Sequence, residues 1–425
     1  MLFPILAVIF LLLHLVFALG KAKNDEEYFR AKSQASASVI GISLAATILG
    51  ASGVMGTISW GSVYGITGSL WLLSGVIGLL FLWYLYPRIT QRQAFTLLGL
   101  CPQSKGNWSK KLFALVIILA WTAIAAAQFK ALALLLAPWF NISSVFLLLG
   151  LAALISLYLI RGGQKAVFKS DYFQFFIIGM GLLLAFSLLV INGKIQPPDT
   201  LKPITADYSP LVFGSVILTY IIGPDIHSRL LAAPDVSTGK NAILIAATIV
   251  FVFAIVLALI GLSGALWLGK SGDQIISLMI ARSGIWGIFI NLALISVLLS
   301  SLDTILFTVS SITIVDLIEG DKNLAVWIIP LFALAAAFTA WKGQGIIPVM
   351  FSAYNIFSGV AGPPLLFMLF GKRQPDQKMF IISITGSSLV FAVASIYSFH
   401  PVAVYPFVFG VLVLLSEHIY FKLRN

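Results

Sequence analysis

Runs of roughly twenty apolar residues recur along the whole chain with short polar breaks between them, the spacing of helices that cross a bilayer. A spanning β-barrel would show weak ten-residue alternation instead. The pattern therefore predicts an all-α, polytopic transmembrane helical bundle. About thirteen spans are expected at about 20 residues each, over 1–19, 36–58, 64–86, 112–137, 142–160, 172–192, 209–224, 241–268, 284–309, 323–341, 346–370, 379–397 and 402–420. The longest polar stretches, 20–35, 87–111 and 193–208, are too short to fold alone. The chain reads as one integral membrane domain over 1–425. It has an N-terminal extra span and loop (1–35), two halves (36–192 and 209–370) and two C-terminal spans (379–425).

Composition agrees: 60% of the 425 residues are hydrophobic, only 10% are charged, and the mean hydropathy is +1.04, outside the range of soluble domains. The formal charge of +11 is a topology signal and does not point to nucleic acid. With the N-terminus outside and the C-terminus cytoplasmic, Lys and Arg crowd the inner loops, Arg229 and Lys240 among them. Only Lys194, Lys202, Lys270, Arg282 and Lys342 fall outside, and Lys130 lies within the bilayer. Multi-pass placement in a plasma (inner) membrane follows. The bases come after the apolar core of 1–19 and not before it, so that segment is expected to be a first span and not a cleaved signal. The single cysteine, Cys101, is expected in a cytoplasmic loop, which leaves no partner for an intramolecular disulfide.

The sharpest chemistry is Ser300-Ser301-Leu302-Asp303-Thr304, deep in an apolar segment. Intramembrane ionisable groups are costly and mark ion or substrate paths by default. On a helix Ser300, Asp303 and Thr304 share a face, with Ser296 one turn earlier, so their oxygens converge. Such a cluster suits a small hard cation. The alternative is that the hydroxyls bond back to their own helix carbonyls and Asp303 pairs with a neighbouring helix.

Two spans carry helix-breaking signals. The second has Gly50, Gly53 and Gly56 at three-residue spacing, which fits either an opened helix or a small-residue packing face. The seventh has Tyr220-Ile-Ile-Gly223-Pro224-Asp225, where Pro224 lacks the amide donor. Broken spans at matching positions of two halves point to an inverted-repeat transporter with its site between them.

The residues also resemble those of the sodium:solute symporter family, which has the LeuT-type fold of five-plus-five inverted repeats. Glu27-Tyr28-Phe29-Arg30-Ala31-Lys32 is similar to its "DYFLAGR" lead-in, and Ala46–Gly56 with Gly61, Tyr64 and Gly65 to its first core helix. Gly162–Gln174 resembles "GGxxAVxxTDxxQ", His227–Ala233 resembles "QRxLAAK", and Ser300–Asp316 aligns without a gap on "SSLxSxLNSxSTxxTxD". Carried across, the resemblance implies Na+ as coupling ion. It assigns the shared sodium site to the carbonyls of Ala46, Leu49 and Val297 and the hydroxyls of Ser300 and Ser301. It places Asp171 near the inner side of that site, and some members build a further sodium site from this acid and the positions of Ser300, Asp303 and Thr304. Here one of those serines is an Asp, which tightens such a site, replaces it with a proton-titrating group, or forms a salt link.

For the solute, the positions aligned with sugar-binding residues are Val216, Thr219 and Tyr220, which disfavours a sugar, since each unmade hydrogen bond costs about 1–3 kcal/mol. Ile48, Gly50 and Gly53 leave a modest cavity whose amides and helix-end dipole suit a carboxylate. Lys130 either meets a substrate carboxylate or an intramembrane acid, or snorkels outward. Asn355 and its neighbours Ser352, Tyr354 and Ser358 either line the cavity or bond between helices. Trp60 and Tyr64 serve as gate aromatics or belong to the interfacial belt.

Four scattered histidines offer no transition-metal site, and no catalytic motif supports an enzyme. The expectation is a sodium-coupled symporter importing a small polar solute, an amino acid or small organic carboxylate, by alternating access. Its partners are that solute, the sodium ion and the lipid bilayer, with no obligate protein partner evident. A proton-coupled permease of the same fold and a transporter-like solute sensor are the alternatives.

Overall fold

The computed structural model describes residues 2–19, 22–31, 35–89, 96–101, 108–140, 142–191, 210–272, 274–343, 346–370, 376–397 and 402–424. The polar stretch 193–208, with Lys194 and Lys202, lies outside the described residues, as does Lys32 of the lead-in motif. The helices are α1 (Leu2–Leu13), α2 (Asp25–Arg30), α3 (Ala37–Ile48), α4 (Thr57–Tyr64), α5 (Leu70–Ile89), α6 (Trp108–Phe140), α7 (Ser144–Ile191), α8 (Pro210–Ile222), α9 (Pro224–Leu230), α10 (Val236–Leu268), α11 (Gln274–Arg282), α12 (Ile285–Ile312), α13 (Ala325–Lys342), α14 (Ile346–Ile356), α15 (Gly362–Phe370), α16 (Gln377–Ile396) and α17 (Val404–Arg424). Among the described residues, seven helical stretches are long and apolar enough to cross a membrane, and two of them, 52–89 and 144–191, run through more than one of the segments expected from sequence.

Both sequence signals for broken helices mark real breaks. The α3 ladder stops at Ile48, a π-helical turn occupies Ser52–Gly56, and α4 resumes at Thr57. In the seventh span Gly223 is extended (φ −61°, ψ 125°) and Pro224 opens α9, so α8 and α9 are separate pieces. Proline tolerates a first helical position because its missing amide would be orphaned there anyway. His227 reaches back across the break and donates Nε2–H to the Ile221 carbonyl at 3.0 Å.

At the centre stands α12, buried on every side from Ala293 to Ile312. A helix enclosed all round presents its polar groups to neighbouring helices and not to water. It packs on α7, α6, α13 and α3, while α10 lies along α3, α4 and α5. The long α7 bends at Gly163, whose φ of 54° only glycine adopts without strain. A Cβ there would sit 2.6 Å from the Tyr28 carbonyl, so α2 docks into the bend. Tyr28 donates to the Leu159 carbonyl (3.1 Å) and Glu27 pairs with Lys165 at 2.5 Å. The lead-in motif and the Gly-Gly motif are thus two halves of one structural joint.

Candidate functional site

Where the second span opens, backbone groups change partners. The Gly50 amide bonds the Thr47 carbonyl (3.2 Å), which takes it off the Ala46 carbonyl four residues back. The Ala51 amide is held by Gln128 Oε1 of α6 at 3.0 Å. From the facing side α12 brings Ser301, whose hydroxyl donates to the same Thr47 carbonyl at 2.8 Å. Gly50 permits this approach, because a Cβ there would lie 2.3 Å from Ser301 Oγ. On the same helix Ser296 and Thr304 bond back to the Leu292 and Ser300 carbonyls, both at 2.9 Å. Ser300 and Ser301 instead reach other helices, so the two alternatives read from sequence divide between the hydroxyls.

Below this contact lies a fully buried polar cluster. Asp171 of α7 accepts from Ser300 Oγ at 2.6 Å, from Ser43 of α3 and from Arg229 of α9, whose Nη2 lies 2.8 Å away. Arg229 also donates Nε–H to Ser43 Oγ (2.7 Å) and an Nη2 hydrogen to Thr304 Oγ1. Its charge placement corrects the sequence reading: the residue counted among the cytoplasmic loop bases is 0% exposed. The cause is the Gly223–Pro224 break, which turns α9 inward instead of letting it leave the bundle. Asp303 faces away from this pair and accepts from Tyr158 and, at 3.3 Å, Ser170, both on α7. Next to it Gln174 contacts His14 of the first segment, Nε2 to Nε2 at 2.9 Å.

A small cavity, about 30 Å³ of free space, adjoins Ser301. That volume holds water-sized groups, so an organic solute requires the helices to separate. Its walls include Thr47, Gly50, Ser52, Gln128, Thr219, Tyr220, Asp225, Tyr354 and Trp121. The structure thus brings Gly50, Thr219 and Tyr220 to one cavity with Ser301; Ala46, Leu49, Val297 and Ser300 are fully buried but are not in its wall. Gly53, Trp60, Lys130 and Asn355 are not in its wall. Trp60 packs in an aromatic group with Tyr64, Trp71 and Phe213, and Lys130 donates to the Gly343 carbonyl at 3.1 Å. Sequence reasoning passed over Ser43, Thr47, Gln128, Tyr158, Asp225 and Arg229. Of these, only Asp225, directly after the Gly223–Pro224 break, stood out in the sequence.

Two broken helices facing a buried central helix agree with the LeuT-type fold expected from the sequence. No family model matches the chain, and no curated protein matches it by sequence. Among solved structures it superposes on a Na+-coupled sialic acid symporter in a substrate-bound outward-open state, with a TM-score of 0.79, 17% identity, and coverage of 97% of this chain and 95% of that one. The nucleobase-cation-symport-1 family transporter MHP1 matches at a TM-score of 0.59 and 13% identity over 95% of this chain and 94% of that one. The manganese transporter of Eremococcus coleocola matches at 0.56 and 15% identity, over 96% and 98%.

Proposed function

We propose that this chain is a secondary active transporter of the sodium:solute symporter type, coupling inward sodium movement to uptake of a small polar solute, with its N-terminus outside the cell membrane. The observation that carries the reading is the contact of Ser301 with the Thr47 carbonyl across the helix break. Neutral hydroxyl and carbonyl oxygens gathered at a helix break are ligands of the kind a small hard cation takes. Sodium between α3 and α12, held by the carbonyls of Ala46, Leu49 and Val297 and the hydroxyls of Ser300 and Ser301, would link the broken helix to the scaffold. It favours the solute-ready state only by its difference in affinity between states, about 1–3 kcal/mol on the usual scale.

Of the two solute classes, the cavity favours an amino acid. Among the described residues Asp225 is the one charged side chain in its wall, beside Trp121, Tyr220 and Tyr354. An ammonium group is matched by that carboxylate and by aromatic faces, while the amides released at the break suit the solute carboxylate.

The test is the thermal stability of purified protein in sodium against potassium, for wild type and Ser301→Ala, followed by a screen in sodium that pairs each α-amino acid with its 2-hydroxy analogue. Stabilisation by sodium alone, lost in the variant, with amino acids preferred over their hydroxy analogues, is the expected outcome. Indifference to sodium in the wild type defeats the coupling assignment. Asp303, bonded to Tyr158 and Ser170, supports the second reading, a proton-driven permease, for which uptake follows a pH gradient and ignores sodium.

A further inference from the structure

Asp171, Ser43, Ser300 and Thr304 gather buried oxygens from three helices, α7, α3 and α12, around one point. By donor chemistry this is a second place for a hard monovalent cation. A positive group already stands in it: the Arg229 guanidinium touches Asp171, Ser43 and Thr304 together. Among the described residues no other Lys or Arg is buried. A charge-assisted fork of this kind is fixed in direction as well as in charge.

We propose that Arg229 is a built-in cation, carried on α9 and seated permanently at Asp171, so that the protein binds a single sodium, at the Ser301–Thr47 contact, where two oxygen-rich places exist. Occupancy supports it: the guanidinium donates to Asp171, Ser43 and Thr304, so a sodium ion at these oxygens would have to displace it, and a second positive charge beside a buried one is not screened by water. The inference takes its meaning from the transporter reading above, but its test stands apart, because it concerns the difference in sodium count between variants.

The experiment is equilibrium binding of radioactive sodium to purified full-length protein in detergent, with choline as the replacement cation. Wild type, Arg229→Gln, Arg229→Lys and Asp171→Asn/Arg229→Gln are compared. Arg229→Gln is expected to bind one sodium more than wild type, with the Hill coefficient of sodium stabilisation rising from about 1 to about 2. Arg229→Lys keeps the wild-type count because it restores the charge, and the double variant gains nothing because the carboxylate is gone. Two sodium ions in the wild type, or no gain in Arg229→Gln, overturns the proposal. A wild type that binds none while Arg229→Gln gains one leaves the role of Arg229 standing and removes the sodium-coupling reading instead. Should Arg229→Gln fail to fold, the wild-type count decides alone: one supports the built-in cation and two refutes it.

Discussion

Replacing Asp171 with Asn strands the Arg229 guanidinium where no water compensates it. Both side chains are 0% exposed and meet at 2.8 Å. Removing one partner of a buried ion pair costs about 3–5 kcal/mol, because the other charge stays buried without compensation. Asparagine is not a benign isostere here, since its amide hydrogens would face either the Arg229 donors or Ser300. Removing both charges, as in Asp171→Asn/Arg229→Gln, leaves polar but neutral groups with the Ser43 and Ser300 hydroxyls still in reach. The double variant should therefore lose much less than the sum of the singles, with a coupling energy of about 2–3 kcal/mol. The assay is a double-mutant cycle from equilibrium unfolding in mild detergent, in choline chloride so that sodium cannot substitute for the missing guanidinium. Additivity to within about 0.5 kcal/mol, or single losses below about 1 kcal/mol where 3–5 are expected, would refute the account of the cluster as one interdependent charge centre.

Three further outcomes follow from the geometry. Gly50→Ala places a Cβ 2.3 Å from Ser301 Oγ and should weaken sodium stabilisation at least about tenfold in concentration, a cost of about 1.4 kcal/mol, while cation-free stability changes less; equal affinity in a sodium titration would show that this approach is not part of the ion site. Gly163→Ala strains a φ of 54° and drives a Cβ to 2.6 Å from the Tyr28 carbonyl. It should cost about 1–3 kcal/mol and expose the α2 joint to limited proteolysis, and an unchanged cleavage pattern would count against that joint. Tyr158→Phe takes away a hydrogen bond from buried Asp303 and should lower stability by about 1–3 kcal/mol without altering the number of sodium ions bound, as read by the same binding measurement.

Much of the fold is visible in the residues because lipid leaves the backbone few options. Without water to satisfy amides, apolar runs of spanning length must be helices, and Gly50–Gly56 and Gly223-Pro224 mark where the ladder fails. The oxygen-rich face of Ser300, Asp303 and Thr304 was legible for the same reason, since polar groups at that depth stand out against leucine and valine. Arg229 was not. In sequence it is a base just beyond a proline at a predicted inner boundary, indistinguishable from the loop bases that set orientation. Tyr158 and Gln128 were also silent, because nothing in their own helices says what faces them.

By itself, then, the chain determined the helical class, the positions of the breaks and the helix that carries the buried serine, threonine and aspartate oxygens, all of which follow from local hydropathy and backbone chemistry. Tertiary packing alone decided which oxygens converge. Whether Ser301 meets the Thr47 carbonyl, and whether Asp171 meets Arg229 or Asp303, depends on the angle at which α9 leaves Gly223 and on the facing of α3, α7 and α12. Those contacts join residues more than fifty positions apart, and a charge has no fixed role until the fold selects its counter-charge and removes the water between them.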